Sequence, residues 1–91
     1  MAEPLAPEGK LDLAAVNDLH MSFVGCAGQD IILDLQNVTH VGALCAQACI
    51  AAARSAKQSG NAFQVVNTSD TVLNQLGCMG LTPETIAEGL A

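Results

Sequence analysis

The chain predicts a small α/β domain: a mixed sheet of about four strands with a parallel core, and helices mainly on one face. Three observations carry this expectation. Two short apolar runs, DIILDLQ (30–36) and NAFQVVN (61–67), read as strands. Between them lies a segment rich in Ala and Cys, from about 43 to 58, that reads as a helix. A strand, a helix and a strand in that order imply a parallel pair joined by a right-handed crossover. At 91 residues the chain fits one domain and not two.

Residues 1–11 hold Pro4, Pro7 and Gly9 around Leu5, and predict a weak strand and a turn, because proline cannot donate to a ladder. Asp12 is a suitable N-cap for a first helix, in which Leu13, Val16, Leu19, His20 and Phe23 recur at helical spacing and Gly25 and Gly28 suit the exit. The continuous apolar run Ile31, Ile32, Leu33 predicts a strand covered on more than one side. NVTHVG (37–42) then reads as a loop.

The second helix carries Arg54 and Lys57 near its end, where cations complement the helix dipole, and Gly60 fits a left-handed exit. Thr68 or Ser69 caps a third helix, whose apolar face is Val72, Leu73 and Leu76 and which Gly77 and Gly80 end. Thr82 as cap, Pro83 at the first helical position and Glu84 in the first turn predict a short C-terminal helix over 82–91.

Composition excludes several roles. The net charge is −6, and Lys10, Arg54 and Lys57 are the only Lys or Arg residues, which argues against nucleic acid and against a polybasic membrane contact. The longest apolar run falls far short of the ~20 residues that span a bilayer, so no direct membrane insertion is expected. MAEPLAPEGK has neither a basic start nor an apolar export segment, and the expected location is the cytoplasm. With no Trp, no Tyr and two Phe, the core must be built from Leu, Val, Ile, Ala, Cys and Met.

The sequence lacks the glycine-rich phosphate and dinucleotide loops, the HExxH zinc helix and the GxSxG elbow, so no catalytic residue and no cofactor is expected. Cys45 and Cys49 share a helix face, where two thiols can ligate a metal with His20 or His40 as further donors. The simpler reading takes Cys26, Cys45, Cys49 and Cys78 as small buried hydrophobes. His20 reads as structural. His40 falls just past the carboxyl end of a central strand, where α/β proteins place their sites, and reads as a contact residue before a catalytic one. Asp34 is either solvated or a support for the loop after it, and Glu84 and Glu88 form a solvated helical face.

The run DIILDLQNVTHVGALCAQACIAAARSAKQSGNAFQVVNTSDTVLNQLGCMGL resembles the STAS domain, named for sulfate transporters and anti-sigma-factor antagonists. The family pattern is a strand ending in Asp-Leu, a loop that closes on Asp-Ser, an Ala-rich helix, a Gly, a strand, and a Ser-capped helix ending in Gly-Leu. Asp34, Leu35, Val38 and Val41 fit its first part; Gly60, the strand at 62–66, Ser69, Val72, Leu76, Gly80 and Leu81 fit the rest. The match covers roughly residues 11 to 82 and rests on order and spacing.

In anti-sigma-factor antagonists a partner kinase phosphorylates that Ser, and the added charge breaks the complex. Here Gly42 stands at the Asp position and Ala43 at the Ser position, so the phosphoacceptor is absent; Thr39 is the nearest alternative hydroxyl. The VGALCAQ form also resembles a degenerate STAS subgroup of bacterial chemotaxis and signalling proteins. The resemblance implies a non-catalytic bacterial interaction domain that meets a protein partner, such as an anti-sigma-factor kinase-like protein or a chemotaxis signalling protein. Asn37, Thr39, His40, Val41, Gly42, Ala43 and Leu44 would form the contact. The small STAS subunit of a lipid ABC transporter, docked on an ATPase subunit, is the alternative; a Cys/His metal protein or enzyme comes third.

Overall fold

A computed structural model describes residues 4–26 and 28–89. The elements are β1 (Gly9–Leu11), α1 (Val16–Gly25), β2 (Ile31–Asp34), β3 (Val38–Val41), α2 (Ala43–Gln58), β4 (Phe63–Val66), α3 (Asp70–Cys78) and α4 (Pro83–Ala87). The protein is a small α/β domain, as the alternation of apolar strands and helices predicts.

The strands form two parallel pairs rather than one mixed sheet. β2 pairs with β4 from Ile31↔Phe63 to Asp34↔Val66, and β1 pairs with β3 from Gly9↔Val38 to Leu11↔Val41. The segment from Leu5 to Leu11 touches both pairs. Leu5 bridges Leu33 of β2, donating to Ile32 O at 2.8 Å and accepting from Asp34 N at 2.7 Å. After Leu5 the ladder breaks at Pro7, which has no N–H to give, and resumes at Gly9 beside β3 with a register shift between Gly9 and Lys10. Pro7 thus divides what would otherwise be one strand joining both pairs.

The expected loop over 37–42 is instead largely strand. Val38 and Val41 are buried, and their β-branched side chains suit a pleated, half-covered strand. The chain turns from β2 into β3 through Asp34, whose Oδ1 accepts the Gln36 N–H at 2.9 Å, and Val38 N donates to Leu35 O at 3.1 Å. Asp34 therefore supports the turn that follows it.

The first helix starts later than Asp12 and Leu13 suggest. Asp12 Oδ1 accepts the Ala14 N–H and Asp12 O accepts the Ala15 N–H, closing a turn before α1. Leu13 stands on that turn, 71% exposed, instead of in the apolar stripe. The other caps fall where expected. Ser69 Oγ accepts from Val72 N, and Thr82 and Thr85 exchange reciprocal side-chain and backbone bonds at the start of α4. The part of the C-terminal helix expected over 90–91 lies outside the described residues.

The core is aliphatic. α2 contributes Cys45, Ala46, Cys49, Ile50, Ala53 and Ala56, spaced three and four apart, so one face of the helix is inside. Its short side chains let α1 and α4 lie against it. Leu33, Val72 and Leu76 have almost no exposure, and the two phenylalanines, Phe23 of α1 and Phe63 of β4, meet with ring centroids 5.9 Å apart. α4 covers β4, while α3 packs against β3. Among the described residues, no helix is long and apolar enough to cross a membrane.

Candidate interaction site

β1 and β3 run in parallel, so their carboxyl ends lie side by side, and the chain leaves both there. From β1 it enters the Asp12 turn; from β3 it enters α2 through Gly42. The Gly42 N–H donates to Leu11 O at 2.7 Å, which fastens the start of α2 to the end of β1. A Cβ on residue 42 would stand 3.2 Å from that same oxygen, so the glycine lets the two backbones approach.

Gly42 is the N-cap of α2 and offers no side-chain bond, and the first turn holds no acidic residue. The helix N-terminus, which carries unpaired N–H groups and a partial positive charge, is therefore left uncapped by any side chain. Around it stand Ala43, exposed, and Leu44, 51% exposed, with Leu13 on the neighbouring turn. Exposed apolar side chains thus stand at one end of the β1–β3 pair, with the exposed Asp12 beside the start of α2.

The expected contact residues divide by burial. Asn37, Thr39, His40, Ala43 and Leu44 are exposed; Gly42 is half-buried; Val41 is in the core at 5% exposure. Val38 and Val41, at the two ends of β3, are buried, and Thr39 and His40 between them are exposed, so the burial does not follow simple strand alternation.

One side chain at this site escapes sequence reasoning. Gln75 Oε1 accepts the Val41 N–H at 2.7 Å, and Gln75 Nε2 lies 2.9 Å from His40 Nδ1. Its one sequence signal is position: Gln75 follows Val72 by three residues and precedes Leu76, so it borders the buried stripe of α3 and is half-buried there.

The four cysteines differ in burial. Cys45 and Cys49 are buried, Cys26 is half-buried and Cys78 is exposed, contrary to the expectation that all four sit inside. Cys78 lies off the stripe of Val72, Leu76 and Met79, which explains its exposure. Burial raises the Cys45 thiol, with the charge of Asp12 adding to it. Burial also pushes Cys49 up to about 12; the neighbouring Cys45 adds to the rise, and a backbone hydrogen bond opposes it. Metal ligation and nucleophilic attack both need the thiolate, which these surroundings disfavour. No group of three or more His, Cys, Asp or Glu that could hold a metal occurs among the described residues.

His20 is exposed on α1 and lines a groove of about 280 Å³ between α1 and α2, together with Phe23, Val24, Cys26 and the alanines of α2. Among the described residues no carboxylate lines that groove, and none stands there as an acid–base partner for His20.

No family model matches the chain, and no curated protein matches it.

Proposed function

We propose that the protein is a non-catalytic interaction domain of the STAS type, which docks a signalling protein at the carboxyl end of β3 and the start of α2. The observation that carries this reading is the start of α2, which has no side-chain cap and no acidic residue in its first turn, and where Ala43 and Leu44 are exposed. Large apolar side chains left exposed on an acidic protein are a common basis for partner contact. Thr39 and His40 are the exposed polar residues of β3 on the approach to this surface, whereas Asn37 lies at the opposite, amino end of the strand, beside Gly9. The partner is a protein of the anti-sigma-factor kinase or chemotaxis type, met in the bacterial cytoplasm.

Control by phosphate at residue 43 has no chemical basis in this chain, because Ala43 lacks an oxygen. The domain is then a constitutive docking module at that position, in contrast to a switch that opens by charge.

The test compares wild type with Ala43→Glu and Leu44→Glu as bait in lysate of the producing cells, using quantitative mass spectrometry. A protein captured by wild type and lost by both variants, with helical content unchanged, supports the reading. An identical captured set removes this surface as the interface.

A further inference from the structure

The Gly42 N–H points toward β1, where it donates to Leu11 O. Strand alternation turns the Val41 N–H the opposite way, to the outer edge of β3, and there it meets Gln75 Oε1. A backbone N–H only donates, so the oxygen end of the Gln75 amide must face Val41. The NH₂ end is thereby committed to His40 Nδ1, 2.9 Å away. An NH₂ group only donates as well. His40 Nδ1 must accept, which makes the ring neutral with its proton on Nε2.

An imidazole protonated at both nitrogens has no lone pair left. Its Nδ1–H would face the Gln75 NH₂, donor against donor. Gln75 can meet the charged ring only by turning its amide over, and that sets an NH₂ against the Val41 N–H. One amide cannot satisfy both neighbours once His40 is charged.

We propose that His40, Gln75 and the Val41 amide form a proton-operated latch, closed while His40 is neutral and released when it is protonated. The latch joins α3 to the last residue of β3, one residue before the cap of α2. His40 is exposed, so protons reach it freely. On the elements packed against β3, the titratable groups are Lys10, in register with His40 on β1, and Asp70 and Cys78, at the two ends of α3. Gln75 is the group that contacts Nδ1. The latch needs no partner; that its release alters docking at Ala43 and Leu44 rests on the interaction reading above.

The test is NMR on the full chain with no partner added, so failure of the docking reading leaves it untouched. At alkaline pH the ¹⁵N shifts of His40 should report the Nε2–H tautomer. As the ring is protonated, the protection factor of the Val41 amide, corrected for intrinsic exchange, should fall about tenfold, the scale of one hydrogen bond. The Leu33 amide should stay protected, which separates local release from unfolding. In Gln75→Glu the carboxylate accepts from both the Val41 N–H and a charged ring, so Val41 should stay protected in acid. The proposal is overturned by an Nδ1–H tautomer, by Val41 protection that ignores the His40 titration, or by Gln75→Glu losing protection in acid as wild type does.

Discussion

The thiol of Cys45 donates to the backbone carbonyl of Asp12 at 3.4 Å. This contact reaches from the first turn of α2 to the turn after β1, beside the Gly42–Leu11 bond. Both links hold the start of α2 against β1, so the exposed Ala43 and Leu44 project from a fixed base. A rigid base limits the ordering entropy lost when a partner docks.

Burial of Cys45 and Cys49 should show in thiol chemistry. Cys78 is expected to react with a maleimide or a disulfide reagent in the native protein, and Cys45 and Cys49 only after unfolding, because the thiolate is the reactive form. Timed alkylation followed by peptide mass spectrometry reads this directly. Fast labelling of native Cys49 would contradict its buried position.

The same burial makes stability depend on alkaline pH. The Cys49 value lies above its ordinary 9.0, at about 12, so the folded state favours the neutral thiol. Its contribution is fully present below about pH 9 and is lost as pH climbs toward 12, because the unfolded chain ionises first. Urea unfolding should weaken above about pH 9 by on the order of a few kcal/mol. Cys49→Ala, although less stable at neutral pH, should show a flatter alkaline slope. Equal slopes would remove Cys49 as the cause.

The C-terminal segment is held by Arg54, whose Nε and Nη2 reach the Gly89 carbonyl oxygen at 3.3 and 3.1 Å. Gly89 has φ 70°, and a Cβ there would stand 3.0 Å from the Arg54 backbone. Gly89→Ala should destabilise by about 2 kcal/mol, from positive-φ strain and a clash with a helix backbone that cannot yield. Arg54→Gln, which loses the two-pronged contact, should cost about 1 kcal/mol. Urea midpoints check both. A neutral Gly89→Ala would mean that the segment does not pack on α2.

The elements legible in the sequence are those whose chemistry is local. The span of α2, the Ser69 and Thr82 caps and the apolar runs of β2 and β4 need only neighbours in sequence to announce themselves. β3 does not. It is four residues long with two of them exposed, so it reads as loop, and its partner β1, three residues long behind Pro4 and Pro7, reads as no more than part of a weak strand and turn. Gln75 is invisible for the same reason in stronger form. Its bonds to Val41 and His40 cross 34 and 35 residues, and no periodicity reports such a contact. At the proposed site, exposure of Ala43 and Leu44 followed from their place at a helix start, whereas the inward turn of Val41 followed from a strand that the sequence hides.

Ala43→Glu separates docking from folding. A carboxylate in the first turn of α2 complements the helix dipole and should leave stability unchanged or raise it by ~0.5 kcal/mol. The position is exposed. Partner capture should nevertheless be lost, because the charge falls on the apolar surface. Urea unfolding of the purified variant supplies the first measurement. A clear loss of stability would show that residue 43 is less free than its exposure indicates.

Residue 42 tests why α2 begins without a side-chain cap. Its φ of −82° and ψ of 163° suit any L residue, so the backbone does not demand glycine. The Leu11 oxygen, 3.2 Å from a Cβ, does penalise a side chain. Gly42→Asp and Gly42→Ala share that crowding, but only Asp can accept an N–H from the first turn. Asp should therefore be more stable than Ala by about 1 kcal/mol, whatever the sign of either against wild type. Urea midpoints of the three proteins decide it. If Asp and Ala are equal, the first turn of α2 is too open for a cap to act, and the exposed amides there are satisfied by water alone.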